Sequence, residues 1–185
     1  PFAGLAFPPH AQGWFAVTAA PYAPPDEAER DAGVACLVAP NRRVNPLSHL
    51  PQMKRGNYAD CLYAAAFARA RGAREALFVE EDGTVLEGAT SNLFLVIGGR
   101  LVTPPAGELV LAGVMRRQVL AAARRLGIEA EEHAVGREEL YTAEEVFLTN
   151  ALIELLPIAA VDGRPCRRGE LWRSLLAAAA DDLNS

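Results

Sequence analysis

The stretch EALFVEEDGTVLEGATSNLFLVIGGRLVTPP, residues 75–105, confines the fold of this chain more than any other. Asp82-Gly83 and Gly98-Gly99 are tight-turn dipeptides, and each lies between runs of apolar or β-branched residues. The pattern predicts a three-stranded meander. Upstream, WFAVTAAPY and GVACLVAP read as two buried strands joined by APPDEAERDA, a polar linker with prolines, and NRRVNPLSHLPQM follows as a loop. NYADCLYAAAFARARG is a helix that Asn57 can cap and Gly72 can end. Downstream, AGVMRRQVLAAARRLG is a second helix, in which Val114, Val119, Ala122, Ala123 and Leu126 share a face and Gly127 is the stop. IEAEEHAV and EVFLTNALIELLPIAAVDGRP give further strands around a short helical stretch, REELYTAE, and GELWRSLLAAAADDL closes the chain as a helix. Strands and helices interleave in an α+β pattern.

With 185 residues, 51% of them hydrophobic, the chain is long enough for a sizeable core. A net charge of −5 with no basic run indicates neither nucleic acid nor an anionic membrane as partner. Cys36, Cys61 and Cys166 are odd in number and far apart, so they suggest neither a disulfide framework nor a C-x-x-C metal site. They read as reduced cysteines of a cytoplasmic protein. His10, His49 and His133 lack metal-ligand spacing, and no metal is expected. Apolar stretches are interrupted before membrane-spanning length. The opening PFAGLAFPPHAQG has no initiator Met and reads as loop or as part of a longer chain, with more protein expected upstream.

Four places could carry chemistry. Lys54 is the only lysine among 18 basic residues, and it sits just before a helix. Guanidinium stays protonated, whereas a desolvated ammonium can lose its proton and attack a carbonyl, so a lone lysine is a candidate nucleophile. Glu87 follows a strand and opens EGATSN, where backbone amides can approach a ligand and a carboxylate can serve a cationic ring nitrogen. Gly113 introduces a helix whose first-turn amides, at Val114 and Met115, suit a phosphate. Thr149 and Asn150 end an apolar strand, where polar groups often face a site. An amine, then an acid, then a helix N-terminus is the set that pyridoxal phosphate needs for its aldehyde, its ring nitrogen and its phosphate.

From TAAPY to VDGRP the chain resembles the class IV aminotransferases, the fold type IV pyridoxal-phosphate enzymes. KRGNY, LEGATSNLFLV with GRLVTPP, AGVMR, EELYTAEEVFLTNAL and LLPIAAVDG carry the resemblance. It implies that Lys54 is the amine for the cofactor aldehyde, that Glu87 pairs with the pyridine nitrogen, and that Val114 and Met115 amides hold the phosphate. Asn150 and Ala151 fall where the family has a further phosphate contact. It also implies an α+β fold: a class IV aminotransferase-like large domain, residues 25–185, with a mixed curved sheet and flanking helices. Residues 1–24 would be the remnant of a small N-terminal domain. Met115 stands where many transaminases have threonine, and Ala59, not Tyr58, holds the position of the branched-chain tyrosine that meets the ring oxygen. No phosphate-clamping arginine is assigned.

Within the family, NALIELLPI is most similar to 4-amino-4-deoxychorismate lyases. Branched-chain enzymes typically carry Gly-Thr at Asn150-Ala151 and Gly-Glu-Asn at Thr90-Ser91-Asn92. The expectation is a pyridoxal 5'-phosphate-dependent lyase that converts 4-amino-4-deoxychorismate to p-aminobenzoate and pyruvate for folate biosynthesis, with Lys54 catalytic. The alternative is a class IV aminotransferase acting on branched-chain or D-amino acids. The resemblance further implies a homodimer acting on a small amine substrate.

Overall fold

The computed structural model describes residues 16–181. In chain order these form α1 (Glu27–Ala32), β1 (Val34–Val38), α2 (Ala59–Arg69), β2 (Glu75–Val79), β3 (Thr84–Gly88), β4 (Asn92–Ile97) and β5 (Arg100–Thr103). Then come α3 (Val114–Arg125), β6 (Ala130–Glu132), β7 (Val135–Gly136), α4 (Glu139–Thr142), β8 (Glu145–Asn150), β9 (Glu154–Val161), β10 (Arg164–Pro165) and α5 (Leu171–Asp181). The strands join in the order β6-β5-β4-β8-β9-β1-β2-β3-β7, with β10 beside β9. β1 runs parallel to β2 and β9, and β5 parallel to β6; the other pairs are antiparallel. Register shifts between Val34 and Ala35 and between Leu77 and Val79 mark where this mixed sheet bends.

The predicted meander is instead two hairpins. The turns at Gly83 and Gly98-Gly99 form as expected, with positive φ. Between them, however, β3 and β4 part: β3 pairs with β2 and β7, and β4 pairs with β5 and β8. The physical reason is Glu75, buried at the start of β2. Its Oε2 accepts hydrogen bonds from Thr90 Oγ1 (2.6 Å), Ser91 Oγ (3.1 Å) and Thr90 N (3.3 Å). The loop is thus tied to β2 instead of continuing a ladder.

Side chains alternate across β4 with the period of a strand. Leu93 and Leu95 enter an inner cluster with Leu77, Leu148, Leu156 and Ile158, while Phe94 and Val96 face α3 and α5 with Phe147, Val119 and Trp172. Phe94 and Phe147 stack at 5.5 Å between ring centroids. Ala64 and Ala68 of α2 cover Phe78 of β2, small residues that allow close helix–sheet approach. Glu145 begins β8 and accepts hydrogen bonds from Leu171 N (2.6 Å) and Trp172 N (3.0 Å), so an acid caps α5 where no N-cap residue was legible.

Other departures have local causes. The linker APPDEAERDA contains α1, capped by Asp26, whose carboxylate accepts from Glu29 N at 2.7 Å. Residues 16–22 of the predicted strand WFAVTAAPY are exposed and irregular; Trp14, Phe15, His10 and the rest of PFAGLAFPPHAQG lie outside the described residues, as do the last two residues of the predicted final helix. Asn57 does not cap α2, which begins at Ala59 with no side-chain cap. Its first turn is fixed by Asp60, which accepts from Val44 N at 3.0 Å and from Arg43. On α3, Val114 is 56% and Leu126 45% exposed, while Met115 and Arg116 join Val119, Ala122 and Ala123 on the buried face. Arg116 is buried because Nη2 donates to Pro104 O and to Glu132.

Candidate active site

Where β3 and β4 part, a cavity of about 230 Å³ opens. Five chain segments line it: Arg43 between β1 and α2, Lys54 and Tyr58 ahead of α2, residues 87–92 from the end of β3 to the start of β4, Leu111 with Gly113 to Met115 at the start of α3, and Thr149 to Ala151 at the end of β8. Lys54, Glu87, Val114, Met115, Asn150 and Ala151, singled out above, all lie on its wall.

Lys54 is exposed at the mouth, and its Nζ stands 3.5 Å from the Tyr58 hydroxyl and 5.4 Å from that ring's centroid. Glu87 is 3% exposed. Its Oε1 accepts from Arg43 Nε at 2.9 Å, and its Oε2 accepts from Leu111 N at 2.9 Å and Asn92 Nδ2 at 3.1 Å. A carboxylate has about four acceptor positions; three are engaged, and the open one is on Oε1. Burial raises the proton affinity of Glu87 above the ordinary glutamate value, against the opposing pull of the Leu111 amide and Arg43.

The start of α3 packs against Asn92. A Cβ at Gly113 would overlap the Asn92 amide oxygen, so this close approach requires glycine. The helix that follows has twelve residues, and the first-turn amides of Val114 and Met115 have no partner within it. Thr149 faces Asn92 across the β4–β8 ladder. It is 1% exposed, and its Oγ1 has no hydrogen-bond partner among the described residues. A buried hydroxyl left unpaired costs about 1–3 kcal/mol, and this one lies on the cavity wall, where it can serve a bound group. Asn150 is engaged internally: Oδ1 accepts from Leu152 N (2.8 Å) and Ile153 N (2.9 Å), and Nδ2 donates to Thr90 O (3.1 Å). It stitches the β8–β9 turn to the 89–91 loop.

Sequence reasoning missed Arg43. It is 6% exposed, and its fork joins Glu87 to Asp60 and to Cys61 Sγ (3.1 Å). No local pattern announces it, because its partners come from α2 and β3. Glu75 was equally invisible, since its partners lie on a loop beyond a hairpin.

The donor set fits a group that carries an aldehyde, a protonated ring nitrogen and a phosphate. It has an amine, a carboxylate with one open acceptor position, and a helix N-terminus beside an unpaired hydroxyl. Among the described residues no cluster of His, Cys, Asp or Glu could hold a metal ion, and no helix is long and apolar enough to cross a membrane.

The family profile described as amino-transferase class IV matches residues 3–161. The branched-chain-amino-acid aminotransferase of Salmonella typhimurium is 36% identical over 135 residues, 72% of this chain and 43% of that protein. The branched-chain aminotransferase of Thermoproteus uzoniensis, solved with norvaline, superposes with a TM-score of 0.77 at 35% identity, covering 88% of this chain and 54% of that one. That of Thermobaculum terrenum, solved in its PLP-form, gives 0.75 at 31% identity over 82% of this chain and 51% of the other. The chain thus spans about half the length of the relatives it matches.

Proposed function

This chain belongs to the class IV aminotransferase family, and from that premise we propose that it is the cofactor-binding part of a pyridoxal-phosphate-dependent aminotransferase for branched-chain amino acids. One observation carries the reading: the amine, the buried acid, the α3 N-terminus and the unpaired Thr149 hydroxyl meet in one cavity. Its relatives are branched-chain enzymes, which supports the aminotransferase alternative better than the lyase expected from NALIELLPI. Asn150-Ala151 and Thr90-Ser91-Asn92 are what still favour the lyase, and the two readings differ in a single assay.

Pyridoxal phosphate supplies, when bound, an aldehyde that takes amines and a ring that accepts the electron pair left at a substrate carbon. Glu87, whose Oε1 keeps an open acceptor position, would hold a proton at the ring nitrogen. The Val114 and Met115 amides would hold the phosphate, with the α3 dipole favouring its charge. Lys54 Nζ, on the cavity wall, would be the amine for the aldehyde and, when free, would move the proton at the substrate α carbon. Tyr58, the phenol beside it, orients that amine. In the same reading residues 1–24 end a small N-terminal domain, residues 25–185 form the large domain, and two copies assemble in the cytoplasm.

The test is a half-reaction. Mixed with L-leucine or L-valine and no keto acid, the holoenzyme is expected to convert its cofactor to pyridoxamine phosphate, seen as loss of the visible absorption band. Release of pyruvate from 4-amino-4-deoxychorismate, without that conversion, would return the reading to the lyase.

Thr149 gives a second expected result. Thr149→Val removes an unpaired hydroxyl and keeps the shape, so the apoprotein should melt a few degrees higher. The same change should weaken pyridoxal-phosphate binding about tenfold, and Thr149→Ser should restore it. Equal affinity in Thr149→Val would remove Thr149 from the ligand shell.

A further inference from the structure

The acid at the ring nitrogen does not stand alone. Arg43 lies in the segment between β1 and α2 and reaches two carboxylates on different elements. Nε donates to Glu87 Oε1 at 2.9 Å, and Nη1 donates to Asp60 Oδ2 at 2.6 Å. Its guanidinium lies 5.6 Å from the Phe78 ring centroid, which closes one side of it to water. Glu87 and Arg43 line the cavity, whereas Asp60 does not. Both carboxylates are nearly sealed, with side chains 5% and 7% exposed, so one cation is divided between two buried anions.

We infer that Asp60, which touches no ligand, tunes the charge of Glu87 through Arg43, and so sets how firmly Glu87 holds the proton at the cofactor's ring nitrogen. Arg43 and Asp60 are therefore positioning residues with opposite effects. Arg43 draws Glu87 towards the ionised form. Asp60 opposes this in two ways: it engages part of the Arg43 fork, and its own charge repels that of Glu87. Arg55 Nη2 is 3.9 Å from Asp60 Oδ2, Cys61 Sγ is 3.1 Å from Arg43 Nη1, and Lys54 shares the cavity wall with Glu87. Burial holds the Cys61 thiol up at about 11, so it stays neutral across the working range and leaves the balance to the acids and arginines. The arrangement suits a ring-nitrogen partner: an acid drawn too far towards its anion would share the proton poorly, and one left without Arg43 would keep it.

The inference rests on the proposed role of Glu87, and the experiment separates the two. In the apoprotein the carboxyl band of Glu87 is titrated by infrared difference spectroscopy, with Glu87→Gln identifying the band. Asp60→Asn keeps acceptors for Arg43 and for Val44 N but removes the competing charge. The Glu87 midpoint should fall by about one pH unit. Arg43→Gln should move it up by at least as much. Loosening of the fold would shift both variants the same way, so opposite shifts are the signature; if Arg43→Gln fails to fold, a fall in Asp60→Asn at unchanged melting temperature carries the test. An unchanged midpoint in Asp60→Asn overturns the inference. The second arm measures binding of pyridoxal phosphate and of its deaza analogue, with CH in place of the ring nitrogen, as a function of pH. The acid edge of pyridoxal-phosphate binding should follow the Glu87 midpoint in each variant, while the analogue should bind alike in all. If both compounds bind alike in all variants while the infrared shifts appear, the coupling stands and the ring-nitrogen role of Glu87 falls.

Discussion

Replacing Lys54 with alanine is expected to lower turnover about 10,000-fold or more while leaving the fold intact. Lys54 is the only lysine of the chain, so no other side chain in it can supply a primary amine to the cofactor aldehyde. It is exposed, and its contacts are with the Tyr58 hydroxyl and ring, so the change should cost less than about 0.5 kcal/mol of stability. Loss of activity in a protein of unchanged melting temperature is then a loss of chemistry. Lys54→Arg should not rescue, because guanidinium keeps its proton at any working pH. Borohydride reduction after incubation with pyridoxal phosphate makes the test direct. One phosphopyridoxyl group is expected on the peptide holding Lys54 in the wild type, and none in Lys54→Ala, although Glu87 and the α3 N-terminus should still bind the cofactor non-covalently. Turnover surviving in Lys54→Ala, or an adduct elsewhere in the wild type, would end the assignment.

The parts of the site that could be read in the sequence are those fixed by local chemistry. A glycine ahead of an alanine-rich helix is a local signal, and Gly113 opens α3 as expected. So are polar residues ending a strand, and Thr149 stands where that signal puts it, while Glu87, expected just after a strand, is the penultimate residue of β3. What was not legible depends on which strand becomes whose neighbour. The meander failed because Glu75, a dozen residues before the loop, holds Thr90 and Ser91 and lets β4 pair with β8. Arg43 was invisible because its partners, Asp60 and Glu87, meet only when α2 packs on β2 and β3. The buried face of α3 was misread at its first turn: Val114, apolar by type, lies at the cavity and stays exposed, while charged Arg116 is buried against Pro104 O and Glu132. Asn150 illustrates the same limit from the other side. The sequence marks it as polar at a strand end, but only the fold shows that its amide is engaged by Thr90 O and two turn amides.

Glu87→Gln is the change of a single atom with the second-largest expected effect. Three donors converge on the carboxylate: Arg43 Nε on Oε1, and Leu111 N with Asn92 Nδ2 on Oε2. A glutamine amide has one oxygen, so in either orientation its NH₂ group faces a donor, and Arg43 loses one of its two anions. Breaking a buried ion pair from one side costs about 3–5 kcal/mol. Retained shape and the remaining Asp60 partner place this variant near the lower end, measured as the shift in urea midpoint at neutral pH. The pH dependence fixes the cause. Glu87 binds its proton more tightly in the fold than in the unfolded chain, so between those two midpoints the folded state carries more protons, and this residue's contribution to stability falls as pH rises. Asp60 has the opposite sign: burial alone would raise its proton affinity, but the Val44 amide and Arg43 more than reverse that, so its contribution is present above the unfolded midpoint and is lost as pH falls through the folded one. Removing the Glu87 titration should therefore leave a stability profile that rises more steeply with pH through the carboxylate range than the wild type's. A profile parallel to the wild type's would mean that Glu87 has the same proton affinity folded and unfolded, and that the Arg43 fork does not hold it in the state drawn here.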